Sequence, residues 1–181
     1  MMSEIICSGF GGQGVLTAGL ILIEAGAKAG RKVSWSPSYG SEMRGGTANC
    51  NVIISDEEIG SPYIKRPDIL VAMNEPSVDK FVEVIKPGGL LLLNSSIIPK
   101  RGYGQGLRVF EVPATEIANE LGNPKGTNLV ILGALMKASG LFEAGMFGQV
   151  ITDYFGKKGY DNPLNTRCYE KGVEAATAVQ A

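Results

Sequence analysis

Apolar positions along the chain fall into two rhythms. Short runs at Ile5–Ser8, Lys32–Ser36, Thr47–Ser55, Asp68–Met73, Leu90–Leu93 and Leu107–Val112 are bounded by glycine, proline, serine or charged residues, and predict six strands. The four consecutive leucines from Leu90 to Leu93 predict a strand buried on both faces. Longer segments with helical spacing lie between and after these runs. They are Val15–Ala29, stopped by Gly30; a helix from Glu75 through Ile85, with Phe81, Val82 and Ile85 on one side; and a short helix begun by Thr115 and ended by Gly122-Asn123-Pro124. Next come Thr127–Ser139, capped by Thr127 and closed by Gly140, then Phe142–Phe155, and an amphipathic helix from Asn165 to about Val179. Pro99–Gly106, rich in glycine, reads as a mobile loop.

This alternation predicts an α/β fold. Its form is a three-layer sandwich, a Rossmann-like mixed and mostly parallel sheet with helices on both faces, built as one domain over residues 1–181. Residues Pro37–Gly46 leave only a short connection, broken by Pro37, Gly40, Gly45 and Gly46, between the second and third strands. A parallel crossover needs a dozen or more residues, so these two strands are expected to be antiparallel. Ligands of such sheets bind outside the carboxyl ends of the parallel strands. That places Gly9–Gly14, Pro37–Gly46, Asn74–Ser77 and Asn94–Ser96 around one candidate site.

Composition narrows the chemistry. A net charge of −1 with 19% charged residues advertises no nucleic-acid partner. No apolar run is long enough for a membrane span. Met1–Glu4 lacks the basic start of a leader. Three scattered cysteines fit a reducing, cytoplasmic setting. With 0 histidines, Ser-His-Asp and Cys-His catalysis and histidine-ligated metals are excluded. With no C-x-x-C the chain offers no four-cysteine iron–sulfur site, and no catalytic or metal-binding residue is assigned to it.

Two stretches carry candidate chemistry. Gly9–Gly14 reads G-x-G-x-x-G between a strand and a helix, where glycines let a backbone approach a phosphate at a helix N-terminus. A dinucleotide site also wants an acid at the end of the second strand. Val33–Pro37 has none, and no Gly-Lys-Ser/Thr follows the loop. Binding of another phosphate or of a partner's backbone, and a tight turn with no ligand, both remain open. Pro37–Cys50 packs glycines, Tyr39, Glu42 and Arg44 into one loop, as either a contact surface or a solvated connector with an ion pair. Gly126–Gly140 is apolar nearly all round, as a core helix or a docking face. Lys100-Arg101 is a solvated pair or an anion site, and Asn74-Glu75 is a helix cap or, less economically, a general base.

"GFGGQGVLTAG", "SYGSEMRGGTANC" and "NLVILGAL", in this order, resemble the gamma subunit of 2-oxoacid:ferredoxin oxidoreductases. "RPDILVAMNEPSVDKF" and "PGGLLLLNSS" are similar to that family's middle region. The resemblance implies a complex that turns a 2-oxoacid, 2-oxoglutarate or pyruvate, and coenzyme A into an acyl-CoA, carbon dioxide and reduced ferredoxin. It implies alpha, beta and delta-type partner subunits holding thiamine diphosphate, magnesium and iron–sulfur clusters, and it allows a homodimer of the isolated chain. The signature positions, as cofactor-binding or interface residues, are Gly9, Gly11, Gly12, Gln13, Gly14, Tyr39, Glu42, Arg44, Gly45 and Gly46. The competing reading is a free-standing nucleotide-binding oxidoreductase. The missing acid and the missing histidine count against it.

Overall fold

The computed structural model describes residues 1–39, 47–104 and 106–180. Seven strands, β1 (Met2–Phe10), β2 (Lys32–Tyr39), β3 (Thr47–Ser55), β4 (Ile69–Ala72), β5 (Leu90–Asn94), β6 (Arg108–Val112) and β7 (Thr177–Val179), form one sheet in the order β2-β3-β1-β4-β5-β6-β7. The strands β1, β4, β5 and β6 run parallel. β3 is antiparallel to β2, as the short connection after Pro37 requires, and also to β1.

The helices are α1 (Val15–Lys28), α2 (Glu75–Phe81), α3 (Ala114–Glu120), α4 (Thr127–Ser139), α5 (Ala144–Gly156) and α6 (Pro163–Ala175). Their ends follow local chemistry. Gly30, at φ 73°, turns the chain out of α1 in the left-handed region open to glycine, and Gly140 does the same after α4. Asn74 caps α2 through its side-chain oxygen, which accepts from Ser77 N at 2.9 Å.

Several element ends differ from the sequence pattern. The second helix stops at Phe81 and continues through Val82–Val84 as a tighter 3₁₀ turn. Thr127 does not cap α4; it is the first helical residue, and its hydroxyl donates to Pro124 O at 3.2 Å. The fifth helix starts at Ala144 because Glu143 caps it, accepting from Gly145 N and Met146 N at 2.8 and 2.7 Å. The last helix begins at Pro163, whose fixed φ suits the first helical position, under an Asn162 cap. It ends at Ala175. The residues beyond, Thr177–Val179, pair antiparallel with β6 as β7. An exposed edge of β6 offers a ladder that the helical pattern of the sequence cannot register.

The two faces of the sheet are covered unequally. Ile5, Cys7, Cys50, Ile54, Val71 and Leu92 face a large core shared with α1, α3, α4, α5 and α6. Ile6, Leu70, Leu91, Leu93 and Val109 face a smaller one closed by Val78 of α2 and by Ile85 and Ile98. Every residue of α4 from Thr127 to Met136 is buried, which settles it as a core helix rather than a docking face. α6 lies against α4 at backbone contact. A methyl at Gly133 would stand 2.1 Å from Tyr169 O, and one at Gly172 1.9 Å from Val130 O.

The three cysteines are buried thiols. Cys7 and Cys50 are opposite one another across β1 and β3. The Cys50 sulfur beside it, together with burial, pushes the Cys7 thiol up. At the amino end of the sheet, Lys86 closes a triad with Glu4 at 2.7 Å and Asp68 at 2.8 Å.

Candidate functional site

β1 ends at Phe10, and the glycine loop then returns the chain into α1. Two side chains fasten it. Gln13 folds back, its Oε1 accepting from Phe10 N at 2.6 Å and its Nε2 donating to Met73 O at 3.1 Å, so it ties the loop to the end of β4. On the other side Asn128, at the start of α4, donates to Gly14 O at 3.2 Å. Gly14 occupies the N-cap of α1 at φ 74°. A methyl there would lie 2.5 Å from Asn128 Nδ2, so conformation and space both demand glycine. Gly11 and Gly12 have nothing within 4 Å of an added methyl, and the loop is open at its tip. Among the described residues the Gly12 and Gly14 N–H groups form no hydrogen bond within the protein.

The strand-end segments read from the sequence are distributed as follows. Register puts Phe10 opposite Thr47 and Tyr39 opposite Ala48, so the glycine loop and both ends of the Gly40–Gly46 connection share one end of the sheet. Tyr39 closes β2; Glu42, Arg44, Gly45 and Gly46 lie outside the described residues. Asn74 and Asn94 act as architecture. The Asn74 oxygen caps α2, and Ser77 Oγ donates to Ser8 Oγ at 2.8 Å, joining β1 to that helix. Asn94 reaches from β5 to the start of α3, accepting from Ala114 N at 3.1 Å and donating to Thr115 Oγ1 at 2.9 Å. Arg101 pairs with Asp79 and Glu75, and Lys100 with Glu111, so neither cation stands as a free anion site and Glu75 is engaged as an ion-pair partner.

What the sequence did not bring together is the floor beside the loop. A cavity of about 670 Å³ is lined by Gly12, Gly14 and Thr17 of the α1 start, Asn128 and Leu129 of the α4 start, and Asn162 and Asn165 of the α6 start. Asn123, Lys125, Phe155, Gly159, Tyr160 and Asp161 complete the wall. Three helices thus point their first turns at one space. None of the three carries an acidic residue in its first turn, whereas α2 and α3 carry Glu75 and Glu116. The partial positive charge at those three N-termini is therefore not offset by the helices' own first turns. Lys125 adds a full charge at the rim. Asn128 is 4% exposed and Asn123 8%, so both are held firmly; Asn123 donates to Asn165 Oδ1 at 3.0 Å. Of these residues Gly12, Gly14 and Thr17 fall inside the glycine-loop stretch that the sequence marked, and Asn128 and Leu129 inside the apolar helix stretch; that α4 and α6 reach the loop is decided by tertiary packing alone.

The arrangement suits a phosphate-bearing ligand. Open backbone N–H groups, helix ends and an ammonium group attract an anion, and the amides give directed hydrogen bonds. It does not suit a nicotinamide dinucleotide in the usual manner. Antiparallel β3 separates β1 from β2, and β2 closes through Ser36-Pro37-Ser38-Tyr39 without a ribose-binding acid. Among the described residues no group of three or more His, Cys, Asp or Glu could hold a metal. The thiols do not suit a cluster either, with Cys7 and Cys50 inside the core and Cys168 on α6. No helix of the described residues is long and apolar enough to cross a membrane. A second groove, of about 460 Å³ between α5 and α6, is lined by Gly148, Thr152, Thr166 and Tyr169 and by no strand-end residue.

The fold and its mouth define a glycine-loop α/β protein with an open cavity beside that loop. Residues 4–175 match the family described as pyruvate ferredoxin/flavodoxin oxidoreductase, and the chain belongs to that family. It is 43% identical over 171 residues to the ketoisovalerate oxidoreductase subunit VorA of Methanothermobacter thermautotrophicus, covering 93% of this chain and 35% of VorA. It is 34% identical over 182 residues to the pyruvate/ketoisovalerate oxidoreductases common subunit gamma of Thermococcus litoralis, covering 95% of this chain and 98% of that protein. Among solved structures, the keto/oxoacid ferredoxin oxidoreductase gamma subunit of Geobacter sulfurreducens superposes with a TM-score of 0.80 at 29% identity, over 95% of this chain and 96% of that one. The 2-oxoglutarate:ferredoxin oxidoreductase of Magnetococcus marinus, solved with 2-oxoglutarate, coenzyme A and succinyl-CoA bound, superposes with a TM-score of 0.84 at 26% identity. It covers 96% of this chain and 30% of that chain. The chain thus spans about a third of the length of VorA and of the Magnetococcus chain.

Proposed function

We propose that this chain is the gamma subunit of a multi-subunit, cytoplasmic 2-oxoacid:ferredoxin oxidoreductase. The complex would convert a 2-oxoacid and coenzyme A to an acyl-CoA and carbon dioxide, passing two electrons to ferredoxin. In this reading the gamma subunit has no redox centre; thiamine diphosphate, magnesium and iron–sulfur clusters belong to alpha, beta and delta-type partners. Family membership supports the assignment, and so does the poor fit of this chain's thiols to a cluster.

The observation that carries the role of the chain within such a complex is the pair of uncapped, acid-free starts of α1 and α4 around the glycine loop, with Lys125 beside them. A relative solved with coenzyme A bound makes that ligand the natural anion. Its phosphates would accept from Gly12 and Gly14 N–H and from Lys125, with Asn128 fixing the loop by its bond to Gly14 O. Tyr39, at the end of β2, and Glu42, Arg44, Gly45 and Gly46, which follow it in sequence, would meet the neighbouring subunit near the thiamine site. Choice of oxoacid would lie elsewhere in the complex. A Thermococcus relative is named as the gamma subunit common to pyruvate and ketoisovalerate oxidoreductases, as expected if this subunit handles the shared co-substrate.

The test is reconstitution with the alpha, beta and delta-type subunits and an assay of coenzyme A-dependent ferredoxin reduction. Lys125→Ala should raise the KM for coenzyme A several-fold while leaving the KM for the oxoacid alone. Arg44→Ala should impair assembly, since truncating one member of a buried interfacial charge pair costs about 2–5 kcal/mol. Full turnover without this chain, or unchanged kinetics in both variants, would overturn the reading.

A further inference from the structure

The wall of the cavity beside the glycine loop is of two kinds. One part is electropositive, with the loop, the α1 and α4 starts and Lys125. The other is the α5–α6 connection, which contributes Tyr160 and Asp161. Tyr160 is 70% exposed, although its backbone is anchored by a 3.0 Å bond from its N–H to Phe155 O and follows Gly159 at φ 72°. A large aromatic residue so exposed contributes little to the core, yet a fixed backbone holds it at the wall of a space of nucleotide size. Asp161 beside it is wrong for a second phosphate, since like charges repel. It is right for a group that donates hydrogen bonds, such as an exocyclic amine or a ribose hydroxyl. The ligand that matches this polarity carries phosphate at one end and a flat, amine-bearing ring at the other.

We infer that Tyr160 is the base platform of this site. It stacks on the adenine of the coenzyme, Asp161 accepts from the exocyclic amine of that base, away from the ribose 3′-phosphate, and the phosphates turn toward Lys125 and the glycine loop. The inference rests on the proposed coenzyme A role and adds to it the residue that reads the nucleotide end. It predicts which fragments of coenzyme A compete. Adenosine 3′,5′-bisphosphate uses the platform, whereas 4′-phosphopantetheine does not.

Calorimetric titration of the full chain, alone and in the reconstituted complex, with coenzyme A, adenosine 3′,5′-bisphosphate and 4′-phosphopantetheine separates the two ideas. Tyr160→Ala should raise the Kd of the two adenine ligands about 5- to 150-fold, the range typical of losing one base–aromatic stack, and leave that of 4′-phosphopantetheine unchanged. Tyr160→Phe, which keeps the ring, should restore adenine binding. Thermal unfolding matching the parent guards against a folding defect, which an exposed tyrosine gives no reason to expect. If Tyr160→Ala leaves all three ligands unchanged, or weakens all three equally, the platform is wrong while the coenzyme A role stands. If the parent binds none of them in either setting, both ideas fall.

Discussion

Six α-helices start among the described residues, and their N-termini are treated in two ways. On one side of the comparison, α2, α3 and α5 have their positive ends satisfied by the protein itself. Asn74 and Glu75 serve α2, Asn94 and Glu116 serve α3, and the Glu143 carboxylate caps α5. On the other side, α1 and α4 begin at glycine with no side-chain cap, and α6 has the neutral Asn162 as its cap, with Asp161 just before it. The second set lines the cavity. Neutralised helix starts are scaffold; the starts left electropositive mark where an anion is wanted, because the free energy given up in local capping becomes available to a ligand.

The largest effect is expected from displacing a helix. α6 reaches the cavity only because Gly172 and Gly133 allow backbone contact with α4. Gly172→Ala forces a methyl against Val130 O, where no side chain can yield. We expect a loss at or above the upper end of the ~1–3 kcal/mol usual for overpacking, read by denaturant titration, together with loss of coenzyme binding as Asn165 is displaced. Asn94→Ala attacks the scaffold set. It strands the Ala114 and Thr115 donors and should cost about 1–3 kcal/mol in denaturant unfolding without changing coenzyme affinity.

Thr17→Glu sharpens the contrast because its two effects oppose. A carboxylate in the first turn of α1 should raise stability by about 0.3–1 kcal/mol and yet weaken coenzyme A binding roughly tenfold, as it occupies the charge that the phosphate would use. A variant that gained stability with no change in Kd would show that the three starts are not a working anion site. The smallest effect is expected from Glu143. Two backbone donors, Gly145 N and Met146 N, hold its carboxyl below the ordinary glutamate range. Its contribution is present above the unfolded-state pKa and is lost as pH falls through the folded one. Glu143→Gln should therefore lower Tm slightly at neutral pH and flatten the acid limb, so that its curve meets the parent's as pH falls through the folded-state pKa.

Much of this architecture was written in local sequence. The strand runs, the stop at Gly30, the closure at Gly140 and the antiparallel turn after Pro37 all follow from side-chain pattern, glycine conformation or chain length. So does the placement of the glycine loop at the same sheet end as Tyr39 and Thr47, because strand direction alone puts them there. The signature segments also sufficed for the family. The sequence could not tell that Thr177–Val179 would leave the helical pattern for the edge of β6. A three-residue strand exists only when a neighbour supplies its hydrogen bonds. Nor could it tell that Gln13, inside the signature loop, is a fastener to Met73, or that Asn128, Lys125, Asn165 and Tyr160 gather around that loop from positions more than a hundred residues away. Those contacts depend on α6 settling against α4. That is a matter of two glycines meeting two carbonyls, and periodicity along the chain carries no record of which backbones will touch.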